Sequence, residues 1–188
     1  MFDRGVGWIT VDAHVFDASF NDGLSIEIQV NPELGTPEAA ADFYARHIGR
    51  LPTALRQDLE TVWIHLGDKP FSGFDHAMLI YTNKGDYYQR AGYLEETLAH
   101  EAAHVSLDPR YAAAYGWRRA QSTDPSFISE YACSFPVRED IAESFVAYLA
   151  ARYREDRIPP EMRASILEAI PNRIAFFDGL HLNMQPLE

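Results

Sequence analysis

The segment Leu94-Glu95-Glu96-Thr97-Leu98-Ala99-His100-Glu101-Ala102-Ala103-His104-Val105 sets two histidines four residues apart, with a glutamate directly after the first. On a helix, residues at that spacing lie one turn apart on the same side, so both imidazoles can converge on one ion. Two neutral imidazoles in this setting are a zinc-binding pair. Glu101 is offset from His100 by about 100° of helical rotation and can overhang the metal's open side without being a ligand. A carboxylate there suits the removal of a proton from water activated by the metal. Without an ion, a buried helix carrying His, Glu and His would need a separate polar partner for each.

A catalytic zinc takes three protein ligands and keeps a fourth position open, so one ion per chain and a third ligand elsewhere are expected. The best candidate is Glu139 in Pro136-Val137-Arg138-Glu139-Asp140-Ile141-Ala142-Glu143-Ser144-Phe145. Glu139 and Glu143 are four apart and share a helical face, so one can bind zinc while the other reaches a ligand histidine. Without the upstream histidines, Glu139 would read as a carboxylate favoured at a helix N-terminus, and Glu143 as part of a solvated face. Asp108 is the rival third ligand, four residues after His104. A rigid helix carries it about 6 Å further along the axis, so it reads better as a partner of a histidine or a helix-end residue.

His14, His47, His65, His76 and His181 lack companions at ligand spacing, and Ser106 and Ser144 have no base at a telling position. Cys133 is the only cysteine, which removes any intrachain disulfide; a small buried residue is the expected role.

These groups need elements to position them. Leu94, Leu98, Ala102 and Val105 recur on one face and Asp108-Pro109 closes the run, predicting a helix over 93–107. Ile141, Phe145 and Leu149 predict another over 138–152, and a third is expected over 160–170. Before these, Gly7 to Phe16 and Leu24 to Val30 read as strands joined by a turn at Asn21-Asp22-Gly23. Thr36-Pro37-Glu38 reads as a capped start to a helix running to about Ile48, and a second helix is expected over 52–59. Strands follow at 61–66 and 77–81, with a turn-rich loop at 69–74 between them. A sheet first and helices after it give an α+β layout in a single domain spanning 1–188.

The net charge of −12 argues against nucleic acid, whose phosphates need a basic face, and disfavours an anionic membrane surface. No apolar run is long enough to span a bilayer and no signal peptide is visible; secretion of a trimmed form stays open, and the compartment is undetermined.

His-Glu-x-x-His followed by a tyrosine and Glu-x-x-Ala-Glu resembles the Glu-ligated zinc peptidases, the gluzincins, which belong to the zincins. Ser129-Glu130-Tyr131-Ala132 ahead of Glu139-Asp140-Ile141-Ala142-Glu143 is similar, within them, to the group of the anthrax lethal factor catalytic domain and the Pro-Pro endopeptidases. The likeness covers roughly 63–149 and includes Phe71-Ser72-Gly73-Phe74. It implies a zincin-like fold with an edge strand beside the metal helix, and peptide or protein substrates. It also implies Glu139 as third ligand and Tyr131 as the phenol facing the reacting carbonyl. The strand at 77–81 takes the place of the edge strand that aligns substrate in that family. The stretch between Tyr131 and Glu139 is one residue longer than in that group, which leaves Tyr111 and Tyr115 as rivals for the phenol. A zinc-binding interaction module without turnover is the alternative, against which the intact Glu101 argues.

Overall fold

A computed structural model of the chain describes residues 1–187. Its strands are β1 (Phe2–Asp3), β2 (Gly7–Trp8), β3 (His14–Ser19), β4 (Ser25–Val30), β5 (Thr61–His65), β6 (Ser72–Phe74) and β7 (Ala77–Tyr81). Between β4 and β5 lie α1 (Pro37–Ile48) and the single turn α2 (Thr53–Arg56). After β7 the chain is helical: α3 (Thr82–Ala91), α4 (Leu94–Ser106), α5 (Asp108–Tyr111), α6 (Tyr115–Thr123), α7 (Glu130–Ser134), α8 (Asp140–Arg152), α9 (Pro160–Ala169) and α10 (Pro171–Gly179). About half the residues are helical, and the fold is α+β with a small mixed sheet.

The five-stranded sheet runs β3-β4-β5-β7-β6. β4, β5 and β7 are parallel, while β3 and β6 flank them antiparallel. One face, with Ile28, Val30, Val62, Ile64, Met78 and Ile80, packs under the helices in a core that extends to Met184. The other face presents Trp63, Leu79 and Tyr81 to Met1, Phe2 and Phe74. Because both faces are covered, β7 is buried at all five positions, which is why its sequence is a continuous apolar run rather than an alternation.

The strand at 77–81, which the resemblance put at the edge, is interior; the edges of the sheet are β3 and β6, and β6 lies within the stretch read as a loop. Ser-Gly-Phe has little intrinsic strand preference; pairing of Ser72, Gly73 and Phe74 with Leu79, Met78 and Ala77 makes it a strand. The single strand expected over 7–16 is divided. Its first part pairs back on Phe2–Asp3, its second on β4, so the two halves belong to different sheets. Helix α1 has the expected bounds, but the Thr36 side chain makes no capping hydrogen bond. The helix expected over 52–59 is one turn, and the one expected from 138 begins at Asp140, with Glu139 at its N-cap. Among the described residues, no helix is long and apolar enough to cross a membrane.

Candidate metal centre

Helix α4 buries Leu94, Leu98, Ala102 and Val105, so its apolar stripe against the core fixes the rotation of the opposite side. His100 and His104 project from that side, with ring centroids 4.7 Å apart. Glu139 reaches the same point from the start of α8, and its side chain is almost entirely buried. The donor atoms are closely matched: His100 Nε2 to His104 Nε2 is 3.1 Å, His104 Nε2 to Glu139 Oε2 is 3.2 Å, and His100 Nε2 to Glu139 Oε2 is 3.4 Å. Among the described residues, these three are the only His, Cys, Asp or Glu side chains grouped tightly enough to hold an ion.

Each imidazole has a carboxylate behind it. His104 Nδ1 lies 2.7 Å from Asp108 Oδ2, and His100 Nδ1 lies 3.3 Å from Glu143 Oε1. Asp108 is therefore behind a histidine and not a third member of the cluster. Helix α5 starts directly at Asp108, which places its carboxylate one turn beyond His104. The other oxygen of Glu143 accepts a 2.7 Å hydrogen bond from Ser129 Oγ, whose same oxygen accepts from the Ala132 N–H and caps α7. Ser129 thus orients a carboxylate and starts a helix at once. A serine three residues before an alanine in a short helix gives no sign of the first role.

Glu101 sits beside the cluster without joining it. The Gly73 N–H donates to Glu101 Oε2 at 2.8 Å, across the seam between β6 and α4. A Cβ on Gly73 would lie 1.9 Å from the Glu101 carbonyl oxygen, so only glycine lets the strand approach the helix this closely. Sequence reasoning noted Gly73 as part of a loop and missed this contact; a glycine facing a helix backbone leaves no pattern along the chain.

Burial pushes the Glu101 carboxyl above the usual range, against the pull of His100, His104 and the Gly73 amide. Burial would also raise Glu139, but Arg138, His104 and Tyr131 outweigh it and hold the carboxyl low. The bond with His100 does most to hold Glu143 low, with Ser129 adding to it against burial. For His104, burial favours the neutral ring, and the contact with Asp108 reverses this and raises it.

Tyr131 stands on α7 with its phenol facing Glu139 and Arg138; burial and the Glu139 charge raise its pKa. Tyr131 is 45% exposed, and its ring packs edge-on against Phe135 at 5.2 Å. The longer stretch before Glu139 has not swung it away. Of the rival tyrosines, Tyr115 is exposed and Tyr111 packs against Phe176. Arg138, which the sequence did not single out, donates from Nε to Glu139 Oε1 at 2.8 Å, leaving Oε2 for the cluster. Cys133 is exposed rather than buried, because α7 is a short surface helix that buries Ala132 alone. His65, given no metal role, is buried between Asn31 Nδ2 and the Phe2 carbonyl.

Comparison of the chain with known protein families, with curated proteins and with solved structures found no match, so its own residues carry whatever is said of its chemistry.

Proposed function

We propose that this chain is a zinc-dependent endopeptidase of the zincin type, with His100, His104 and Glu139 holding one zinc and Glu101 as general base. The observation that carries the reading is the set of donor separations, 3.1, 3.2 and 3.4 Å, with a carboxylate facing each remaining imidazole nitrogen. An ionised carboxylate only accepts hydrogen bonds, so each Nδ1 carries the proton and each Nε2 presents a lone pair. Two lone pairs and a carboxylate oxygen aimed at one point repel one another unless a cation lies between them. A tetrahedral zinc with bonds of about 2.0–2.1 Å separates its donors by about 3.3–3.4 Å, so the residues fit the group.

Bound zinc supplies Lewis acidity, polarising a carbonyl and acidifying water. The chain's own groups do the rest. Glu101 takes a proton from the attacking water and returns it to the leaving amide nitrogen, and the Gly73 N–H keeps its carboxylate turned toward the cluster. Asp108 and Glu143 hold the histidines in the tautomer that binds metal. Tyr131 donates a hydrogen bond from its phenol to the carbonyl oxygen as negative charge develops there. The free side of β6 lies beside Glu101, where an extended peptide can add as a further strand.

The test is metal analysis of the purified chain, followed by digestion of a mixed peptide library with and without a chelator. Chelator-sensitive cleavage at internal bonds and about one zinc per chain are expected. Zinc bound at that level with the library intact would remove the enzyme and leave a metal-binding interaction module.

A further inference from the structure

β6 is three residues long, contains glycine and lies at the sheet edge, yet the orientation of Glu101 depends on it. Pairing with β7 secures one side of it. Further support comes from the first residues of the chain. The Arg4 guanidinium donates from Nη1 to the carbonyls of Pro70 and Phe71, at 3.2 and 3.3 Å, immediately before β6. The Asp3 carboxylate gathers Lys69 Nζ at 2.8 Å and the Tyr81 hydroxyl at 2.9 Å, while that hydroxyl accepts from the Arg4 N–H at 2.8 Å. At the far end of the strand, the Phe2 ring meets Phe74 edge-on at 5.3 Å. Alternation along the strand makes this possible: Gly73 faces α4 while Phe74 faces Phe2, so β6 is pinched between the metal helix and the N-terminal hairpin.

From this geometry we propose that Asp3 and Arg4 are positioning residues of the candidate site, clamping the loop at 69–71 so that Gly73 meets Glu101. The inference rests on the peptidase reading for its effect on turnover, but the clamp itself can be read without a substrate. In the zinc-loaded chain, Arg4→Ala is expected to raise amide exchange at Ser72, Gly73 and Phe74 by about 10-fold, the scale of one charge-assisted hydrogen bond lost from a local opening. Amides of β4 should be unmoved, zinc content should be unchanged, and Arg4→Lys should restore part of the protection. Asp3→Asn, which keeps shape and loses charge, is expected to act in the same direction. With peptide substrate, kcat should fall about 10-fold or more, with KM changed less, because what is lost is alignment of the base. Unchanged exchange at 72–74 in both variants would overturn the clamp whatever the protein cleaves. Faster exchange with kcat at the wild-type value would overturn its positioning role. If the wild type cleaves nothing, the peptidase reading falls and the exchange result still decides the clamp.

Discussion

Two substitutions at Glu101 separate its chemistry from its place in the fold. Glutamine matches the shape of glutamate, and its amide oxygen can keep the 2.8 Å hydrogen bond from the Gly73 N–H, but it cannot hold a transferable proton. Glu101→Gln should therefore retain zinc and lose about 10²- to 10⁴-fold in kcat, the range for a general base. That corresponds to about 2.7–5.4 kcal/mol of barrier at 1.36 kcal/mol per tenfold. Glu101→Ala should lose as much turnover and also leave the half-buried Gly73 N–H without its acceptor. An orphaned donor costs about 1–3 kcal/mol, and water access to this one favours the lower half of that range. For a chain of this length each kcal/mol lowers Tm by about 2–4 °C, so the alanine variant should melt a few degrees below the glutamine variant. Comparing the two variants, rather than either with wild type, removes the gain each makes by deleting a buried carboxyl that burial disfavours. The assay is a pair of thermal melts on zinc-loaded protein beside chelator-controlled peptide cleavage. Glu101→Gln cleaving at the wild-type rate would refute the base, and equal melting temperatures would refute the Gly73 contact.

His100→Ala, His104→Ala and Glu139→Ala should each lose zinc on dialysis against buffer; full occupancy in any of them removes that residue from the ligand set. Asp108→Ala and Glu143→Ala should each weaken zinc affinity by about 10- to 100-fold in a competition titration, as partners behind ligand histidines do; if both leave affinity unchanged, the carboxylates are not orienting the rings. Tyr131→Phe should keep zinc and substrate binding but lose about 10²- to 10³-fold in turnover, the scale of one oxyanion donor; a silent variant takes the tyrosine out of the mechanism. Asp3 gives a pH test. Burial would raise its carboxyl, but Lys69, the Gly5 amide and Tyr81 outweigh it and hold it down at about 2. A depressed carboxylate contributes stability that is complete above the unfolded value of about 3.9 and lost as pH falls toward the folded one. Asp3→Asn should thus be less stable than wild type near neutrality, with the gap in denaturant melts closing between about pH 4 and 2; a gap independent of pH would refute the ion pair.

The histidine pair and Glu101 were legible in the sequence because one helix carries them, and helical spacing alone sets their geometry. Glu139 was legible because the expected helix, though it starts later, keeps residues 139 and 143 on one side. Strand β4, its turn with β3 and helix α1 were read nearly as they stand, since alternation, Asn-Asp-Gly and a proline at a helix start are local signals, whereas β3 was read too early in the chain. What the sequence hid is set by contacts between distant segments. β6 exists through pairing and the approach of Gly73 to α4, neither of which has a periodicity. Helix α3 was missed because it carries Gly85 at its centre, where an added Cβ would lie 2.0 Å from the Tyr44 hydroxyl; packing required the residue that lowers helix propensity. The Asp3 and Arg4 contacts span more than sixty residues and join groups that each look like ordinary surface charges.

The same reasoning applies behind Glu139, where the sequence offered no hint at all. Arg173 on α10 is fully buried, with Nε on Asp140 Oδ2 at 2.9 Å and Nη1 on Asp124 Oδ2 at 2.9 Å. Gln121 adds a 2.8 Å hydrogen bond to the same oxygen of Asp140, and Asp140 opens helix α8 directly after Glu139. A buried ion cluster of this kind is a poor source of stability, since well-packed apolar side chains of similar volume often hold a fold as well or better. Apolar packing, as along α4, holds a helix through shape complementarity. A guanidinium shared between two carboxylates holds it through hydrogen bonds, each of which has a direction. The cluster therefore fixes the rotation of the first turn of α8, and that rotation decides whether Glu139 and Glu143 both face the histidines. Here α4 sets its histidines by an apolar stripe, whereas α8 adds to an apolar stripe of its own a buried charge at its first residue.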